Sequence, residues 1–231
     1  MTTYKLGTLN CTIDGKLDSA TWACIFCHGF GAPGTDLVTL AEELRYASSE
    51  LDDRWVFVFP EAPLSLDHLG LPGGRAWWEI NMMRLQQLLQ TQQWDVLMDA
   101  KPPGLDEAHQ LFLGLTDELQ SEFGISCDHQ LWGGFSQGAM LSTDVFFRSD
   151  RQPAGLILYS GTIINREEWR AGSEKKQPVQ VFQSHGSIDP VLPYDAALLL
   201  RDWFRELNFP LDFVSFPGGH TIPYEALART A

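Results

Sequence analysis

Positive charge is scarce in this sequence. Sixteen lysines and arginines stand against 30 aspartates and glutamates, a formal net charge of −14. So acidic a chain is repelled by phosphate backbones and anionic headgroups, which excludes nucleic-acid binding and attachment to a membrane through basic residues. Long apolar runs are also missing. None approaches the roughly 20 residues of a membrane span, and Met1 to Gly7 carry no apolar core of the kind a secretion signal needs. A soluble cytoplasmic protein is the expectation. Cysteine is sparse: Cys11, Cys24, Cys27 and Cys127 lack the spacing of a secreted disulfide framework. Cys24-Ile25-Phe26-Cys27-His28 matches the C-x-x-C-H pattern of haem attachment. However, Trp22 to Cys27 reads as a buried strand, in which positions 24 and 27 face opposite sides. No second Cys/His pair completes a zinc site, so neither metal nor cofactor is expected. Repeats, low-complexity tracts and interdomain linkers are absent as well. The 231 residues, 44% hydrophobic and 20% charged, suit a single α/β domain, 1–231, with a full core.

What is present is alternation. Residues 4–14 read as a strand or hairpin. Residues 21–27 and 55–59 read as apolar strands, the second stopped by Pro60. Strands at 130–135, 155–161, 179–183 and 211–216 alternate with helices at 105–123, 136–147, 194–207 and 223–229, and with a short irregular one near 166–169. Thr35 or Asp36 is the expected cap of a helix carrying Leu37, Leu40, Ala41 and Leu44. This is the pattern of a mainly parallel sheet covered by helices on both faces. Residues 61–103 break the rhythm with prolines, a Gly-Gly pair, Arg75-Ala76-Trp77-Trp78-Glu79 and a helical stretch expected over Asn81 to Trp94. That stretch reads as a lid or cap insertion; a structural surface excursion is the alternative.

Gly134-Phe135-Ser136-Gln137-Gly138 carries the chemistry. G-x-S-x-G between an apolar strand and a helix is the setting of a nucleophile elbow, a strained turn that exposes the serine and admits only small residues two positions away. A serine nucleophile needs a base and an acid that orients it, in the chain order Ser, Asp or Glu, His. Asp189 follows the strand at 179–183, and His220 follows the last strand. Both therefore sit at the carboxyl edge of the sheet with Ser136. Were His185 the base instead, the acid would have to be Asp144 or Asp150, on or just after a helix and away from that edge. His185 then orients the acid loop. Two backbone N–H groups should form an oxyanion hole: that of Gln137, directly after the nucleophile, and that of Phe30 in the loop His28-Gly29-Phe30-Gly31.

His28-Gly29-Phe30-Gly31, Gly133 to Gly138, His185-Gly186 with Asp189-Pro190-Val191-Leu192-Pro193, and Gly218-Gly219-His220 together resemble the phospholipase/carboxylesterase family of α/β-hydrolases, which includes acyl-protein thioesterases and small bacterial carboxylesterases. The likeness runs from about residue 21 to the end. It implies an α/β-hydrolase fold and cofactor-free hydrolysis of a small-molecule ester or thioester, lysophospholipid included. It also implies Ser136 as nucleophile, Asp189 as acid, His220 as base, and Phe30 and Gln137 as oxyanion donors. Where acyl-protein thioesterases typically read Trp-Phe-Asp, this chain has Trp77-Trp78-Glu79, and its segment 81–100 is longer and more helical. A carboxylesterase of unspecified acyl preference is therefore expected, rather than a dedicated protein depalmitoylase. Trp77, Trp78, Met82 and Met83, with Val191 and Leu192, are candidates to line the acyl pocket, the two tryptophans at its mouth; equally, Trp77, Trp78, Met82 and Met83 fit a lid core. Two other readings use the same residues: a small peptidase of this fold, or a catalytically silent module binding an apolar ligand.

Overall fold

The computed structural model describes residues 1–231. Its eight main strands are β1 (Thr2–Leu6), β2 (Leu9–Asp14), β3 (Trp22–Cys27), β4 (Trp55–Pro60), β5 (Gln130–Phe135), β6 (Gly155–Tyr159), β7 (Gln180–Gly186) and β8 (Leu211–Phe216). They form one sheet in the order β1-β2-β4-β3-β5-β6-β7-β8. The β1–β2 hairpin and the β2–β4 pair are antiparallel, and every other pair is parallel. The inner parallel strands β3, β4 and β6 are almost wholly buried and read as unbroken apolar runs in the sequence, whereas β7 buries Gln183, Ser184 and His185 and the edge strand β8 exposes Ser215.

Side-chain alternation splits β3 between two cores. Ala23, Ile25 and Cys27 join the larger, beneath α4 (Leu105–Phe123), α5 (Gln137–Arg148), α6 (Arg166–Ser173) and α7 (Tyr194–Glu206). Cys24 and Phe26 join the smaller, beneath α1 (Thr39–Ala47) and α8 (Tyr224–Thr230). The C-x-x-C pair thus faces two ways, and burial pushes both thiols above their ordinary value. No helix is long and apolar enough to cross a membrane.

Two local expectations need correcting. Neither Thr35 nor Asp36 caps α1. Residues 35–38 form turns bridged by Asp36 N–H to Pro33 C=O and Val38 N–H to Thr35 C=O, and α1 starts after Val38 without a side-chain cap. The helix expected over 81–94 is two helices, α2 (Met82–Gln90) and α3 (Trp94–Asp99). Gln92, at φ 52°, breaks them apart, a backbone state that non-glycine residues seldom hold and no helix propagates. Periodicity alone does not reveal such a break. Asn81 accepts from Arg84 N–H and caps α2. Within 61–103 a two-residue antiparallel ladder, Leu64–Ser65 with Arg75–Ala76, precedes both helices.

Candidate active site

Because β3, β5, β7 and β8 run parallel, their carboxyl ends share one edge of the sheet. His28, Ser136, Asp189 and His220 each follow one of those ends. The register pairs Cys27 with Gly134, which sets the loop after β3 beside the turn after β5.

Ser136 links β5 directly to α5 at φ 54° and ψ −115°. A non-glycine residue there costs roughly 1–3 kcal/mol and persists only where its surroundings impose it. They do: Ser136 N–H donates to Tyr159 C=O at 2.8 Å, and Ser136 C=O accepts from Met140 N–H at 3.1 Å. The flanking glycines are a matter of space. A Cβ at Gly134 would come within 2.3 Å of the Cys27 carbonyl oxygen, and one at Gly138 within 2.0 Å. Only glycine lets β3 approach the turn so closely.

The loops that carry Asp189 and His220 interlock. Ser187 N–H donates to Phe216 C=O at 2.8 Å, and Ile188 N–H to Gly218 C=O at 3.2 Å. Asp189 Oδ1 accepts from Val191 N–H at 2.8 Å and Leu192 N–H at 2.9 Å. Its Oδ2 lies 2.6 Å from His220 Nδ1. Burial alone would push the Asp189 carboxyl up; the His220 bond and the Leu192 and Val191 amides outweigh it and hold the group below the usual carboxylate range. An ionised Asp189 fixes the proton on His220 Nδ1 and leaves Nε2 free to accept one. The Phe135 ring lies 4.6 Å from the His220 ring, which sets the imidazole beside the serine turn. The hydrogen bonds join Asp189 to His220 but not His220 to Ser136, a contact that commonly tightens only with substrate bound.

His185 is buried, and its Nε2 lies 2.7 Å from Leu192 C=O and 3.4 Å from Asp189 Oδ2. It braces the acid loop, as its position suggests. Asp144 is fully buried elsewhere, between His109 Nδ1 at 3.1 Å, Arg148 at 2.8 Å and the Trp169 indole N–H at 2.9 Å. It ties α5 to α4 and α6, out of reach of His185.

The loop after β3 passes close to Ser136: a Cβ on Gly29 would meet Ser136 Cβ at 3.4 Å. Phe30 N–H donates to no protein acceptor, and Gln137 opens α5, where N–H groups have no intrahelical partner. His28 braces the loop. Its Nδ1 lies 2.8 Å from Gly29 C=O and its Nε2 accepts from Ala62 N–H at 3.1 Å, and burial holds its pKa below the ordinary value.

The pocket candidates separate. Trp77 and Trp78 are 1% and 2% exposed and belong to the larger core, so they stand as packing beneath the site rather than at an open mouth. Apolar bulk so near the catalytic edge is better satisfied by burial than by facing water. Leu192 is buried too, whereas Met82 and Val191 are 50% and 39% exposed and Met83 82%. One role escaped sequence reasoning: the Gln137 side chain bonds the backbone of Trp77 and Trp78, about 60 residues away in sequence, and no local pattern signals it.

Known proteins share this architecture. Acyl-protein thioesterase 1 of Candida albicans is 29% identical over 220 residues, covering 91% of this chain and 89% of that protein. Acyl-protein thioesterase 1 homolog 1 of Dictyostelium discoideum is 25% identical over 217 residues, covering 91% and 88%. Among solved structures, esterase PE8 superposes with a TM-score of 0.77 at 22% identity, covering 98% of this chain and 96% of its own. A phospholipase/carboxylesterase from Dyadobacter fermentans gives 0.70 at 24%, covering 100% and 96%. The fold is that of the α/β-hydrolase esterases. The family model described as phospholipase/carboxylesterase matches residues 10–231, nearly the whole chain, and the protein belongs to that family of ester and thioester hydrolases.

Proposed function

We propose that the chain is a serine carboxylesterase working through an acyl-enzyme on Ser136. The observation that carries this reading is the Asp189–His220 hydrogen bond of 2.6 Å at the same sheet edge as the strained Ser136. Ser136 Oγ attacks the acyl carbonyl while His220 Nε2 takes its proton. The carbonyl electron pair moves onto oxygen, which the Phe30 and Gln137 N–H groups stabilise. Collapse expels the alcohol or thiol, which receives the proton from His220. A water then repeats the sequence on the acyl-enzyme, releasing the acid and restoring Ser136.

The 61–103 stretch acts as a cap whose movable part is α2. In support, α2 buries none of its residues, while the chain on both sides of it is tied down. On the near side Gln137 holds Trp77 and Trp78; on the far side Arg166 pairs with Asp99 at 2.7 Å and Asp95 at 2.9 Å. Met82 and Val191 are the exposed candidates for contact with the acyl chain. The four free cysteines, three of them buried, accord with a cytoplasmic setting. A panel of p-nitrophenyl esters of increasing chain length, with acyl-CoA and lysophosphatidylcholine beside it, tests the reading. A burst followed by steady turnover, abolished by Ser136→Ala, is expected. No turnover on any ester would leave a binding module.

A further inference from the structure

Both candidate oxyanion donors rest against one short segment, Arg75 to Trp78. On the Phe30 side, Gly31 N–H donates to Arg75 C=O at 2.9 Å, and Arg75 N–H donates to Ala32 C=O at 3.1 Å. The Trp77 indole N–H donates to His28 C=O at 3.0 Å. Phe30 is therefore gripped on both flanks. On the other side, the Gln137 Oε1 accepts from Trp77 N–H at 2.9 Å, and its Nε2 donates to Trp78 C=O at 2.9 Å. Gln137 is 1% exposed, and this carboxamide is its only side-chain tie.

We propose that the Gln137 side chain is a positioning residue. It locks the start of α5 to the Arg75–Trp78 strut, so that the Gln137 and Phe30 N–H groups keep a fixed separation and aim. Two donors converge on one oxyanion only if the elements carrying them cannot drift, and about 1 Å of misplacement costs on the order of 100-fold. The carboxamide suits the task because one planar group both accepts and donates, matching the N–H and C=O of successive residues. The proposal rests on Ser136 being the nucleophile.

The test compares Gln137→Met with Gln130→Met. Gln130 is a second fully buried glutamine, at the far end of β5, where it bonds Ile125 C=O at 2.9 Å and the Trp132 indole at 3.0 Å. Both variants lose carboxamide bonds of similar kind, so both should lose stability. Rates are normalised to active sites titrated with a fluorophosphonate, which removes any unfolded fraction. For Gln137→Met, kcat on a short ester should fall roughly 10- to 100-fold with KM changed less than about threefold, and a boronic-acid transition-state analogue should weaken by the same factor. Gln130→Met should leave both unchanged. If Gln137→Met does not fold, Gln137→Asn, whose carboxamide is one methylene too short to reach both Trp77 N–H and Trp78 C=O, should show the same split. Normal kcat and analogue affinity per titrated site in either variant would overturn the proposal. Failure of the fluorophosphonate to label Ser136 in the native chain would instead overturn the nucleophile assignment beneath it.

Discussion

Ser136 sits in a backbone state that its neighbours force upon it, so its substitutions should separate chemistry from strain. On the proposed mechanism Ser136→Ala removes the attacking oxygen while keeping the strain, so kcat should fall on the order of 10⁴- to 10⁶-fold with the thermal midpoint near the native one. Ser136→Gly loses the same chemistry but relaxes φ 54°, so it should unfold at a higher temperature than the alanine variant. A glycine variant less stable than alanine would show the turn to be unstrained. The two histidines beside Asp189 separate just as cleanly. His220→Ala removes the group bonded to Asp189 and should cost about 10⁴-fold or more in kcat. His185→Gln disturbs the Leu192 carbonyl, the 3.4 Å approach to Asp189 and the pose of the loop that carries it, and should cost at most about 100-fold. The reverse ranking would exchange their roles.

The elements divide by what a sequence can carry. Strands β3, β4 and β6 were legible because a strand buried on both faces has to be apolar throughout. The elbow was legible because close approach to the Cys27 carbonyl admits only glycine at 134 and 138. The break between α2 and α3 was not, because one left-handed residue, Gln92, decides it within a helical composition. The burial of Trp77 and Trp78 was not either, because a tryptophan beside a catalytic loop has the same letter whether it lines a pocket or fills a core. The distinction is measurable. Trp78→Ala should cost about 3–5 kcal/mol of stability as a core truncation. Met82→Ala, on the exposed start of α2, should cost under about 0.5 kcal/mol. If α2 covers the acyl chain, Met82→Ala should also shift the kcat/KM ratio of long to short esters by roughly tenfold. An unchanged ratio in Met82→Ala would remove α2 from the substrate's path.

For the whole molecule, pH acts through buried groups and net charge in opposite directions. His28 and His185, 1% and 0% exposed, have pKa values lowered from 6.5 chiefly by burial. Below 6.5 the unfolded chain takes up protons that these folded imidazoles refuse. Their stabilising contribution is complete above pH 6.5 and is lost as pH falls towards their folded values. Asp144 and Asp189 are lowered from 3.8, so their contribution holds above that value and is lost as pH falls through their folded ones. Net charge works against this: a chain at −14 repels itself, and acidification relieves the repulsion. Salt distinguishes the two. At about 0.5 M, exposed charges are largely screened while buried groups are not. The urea midpoint should therefore be flat above pH 7 in high salt and should fall steadily from pH 6.5 downwards, more steeply than in low salt. His185→Gln should shorten that fall, because one of the two imidazoles that drive it is gone. A midpoint that rises on acidification in high salt would mean that buried histidines do not govern the stability of this protein below neutrality.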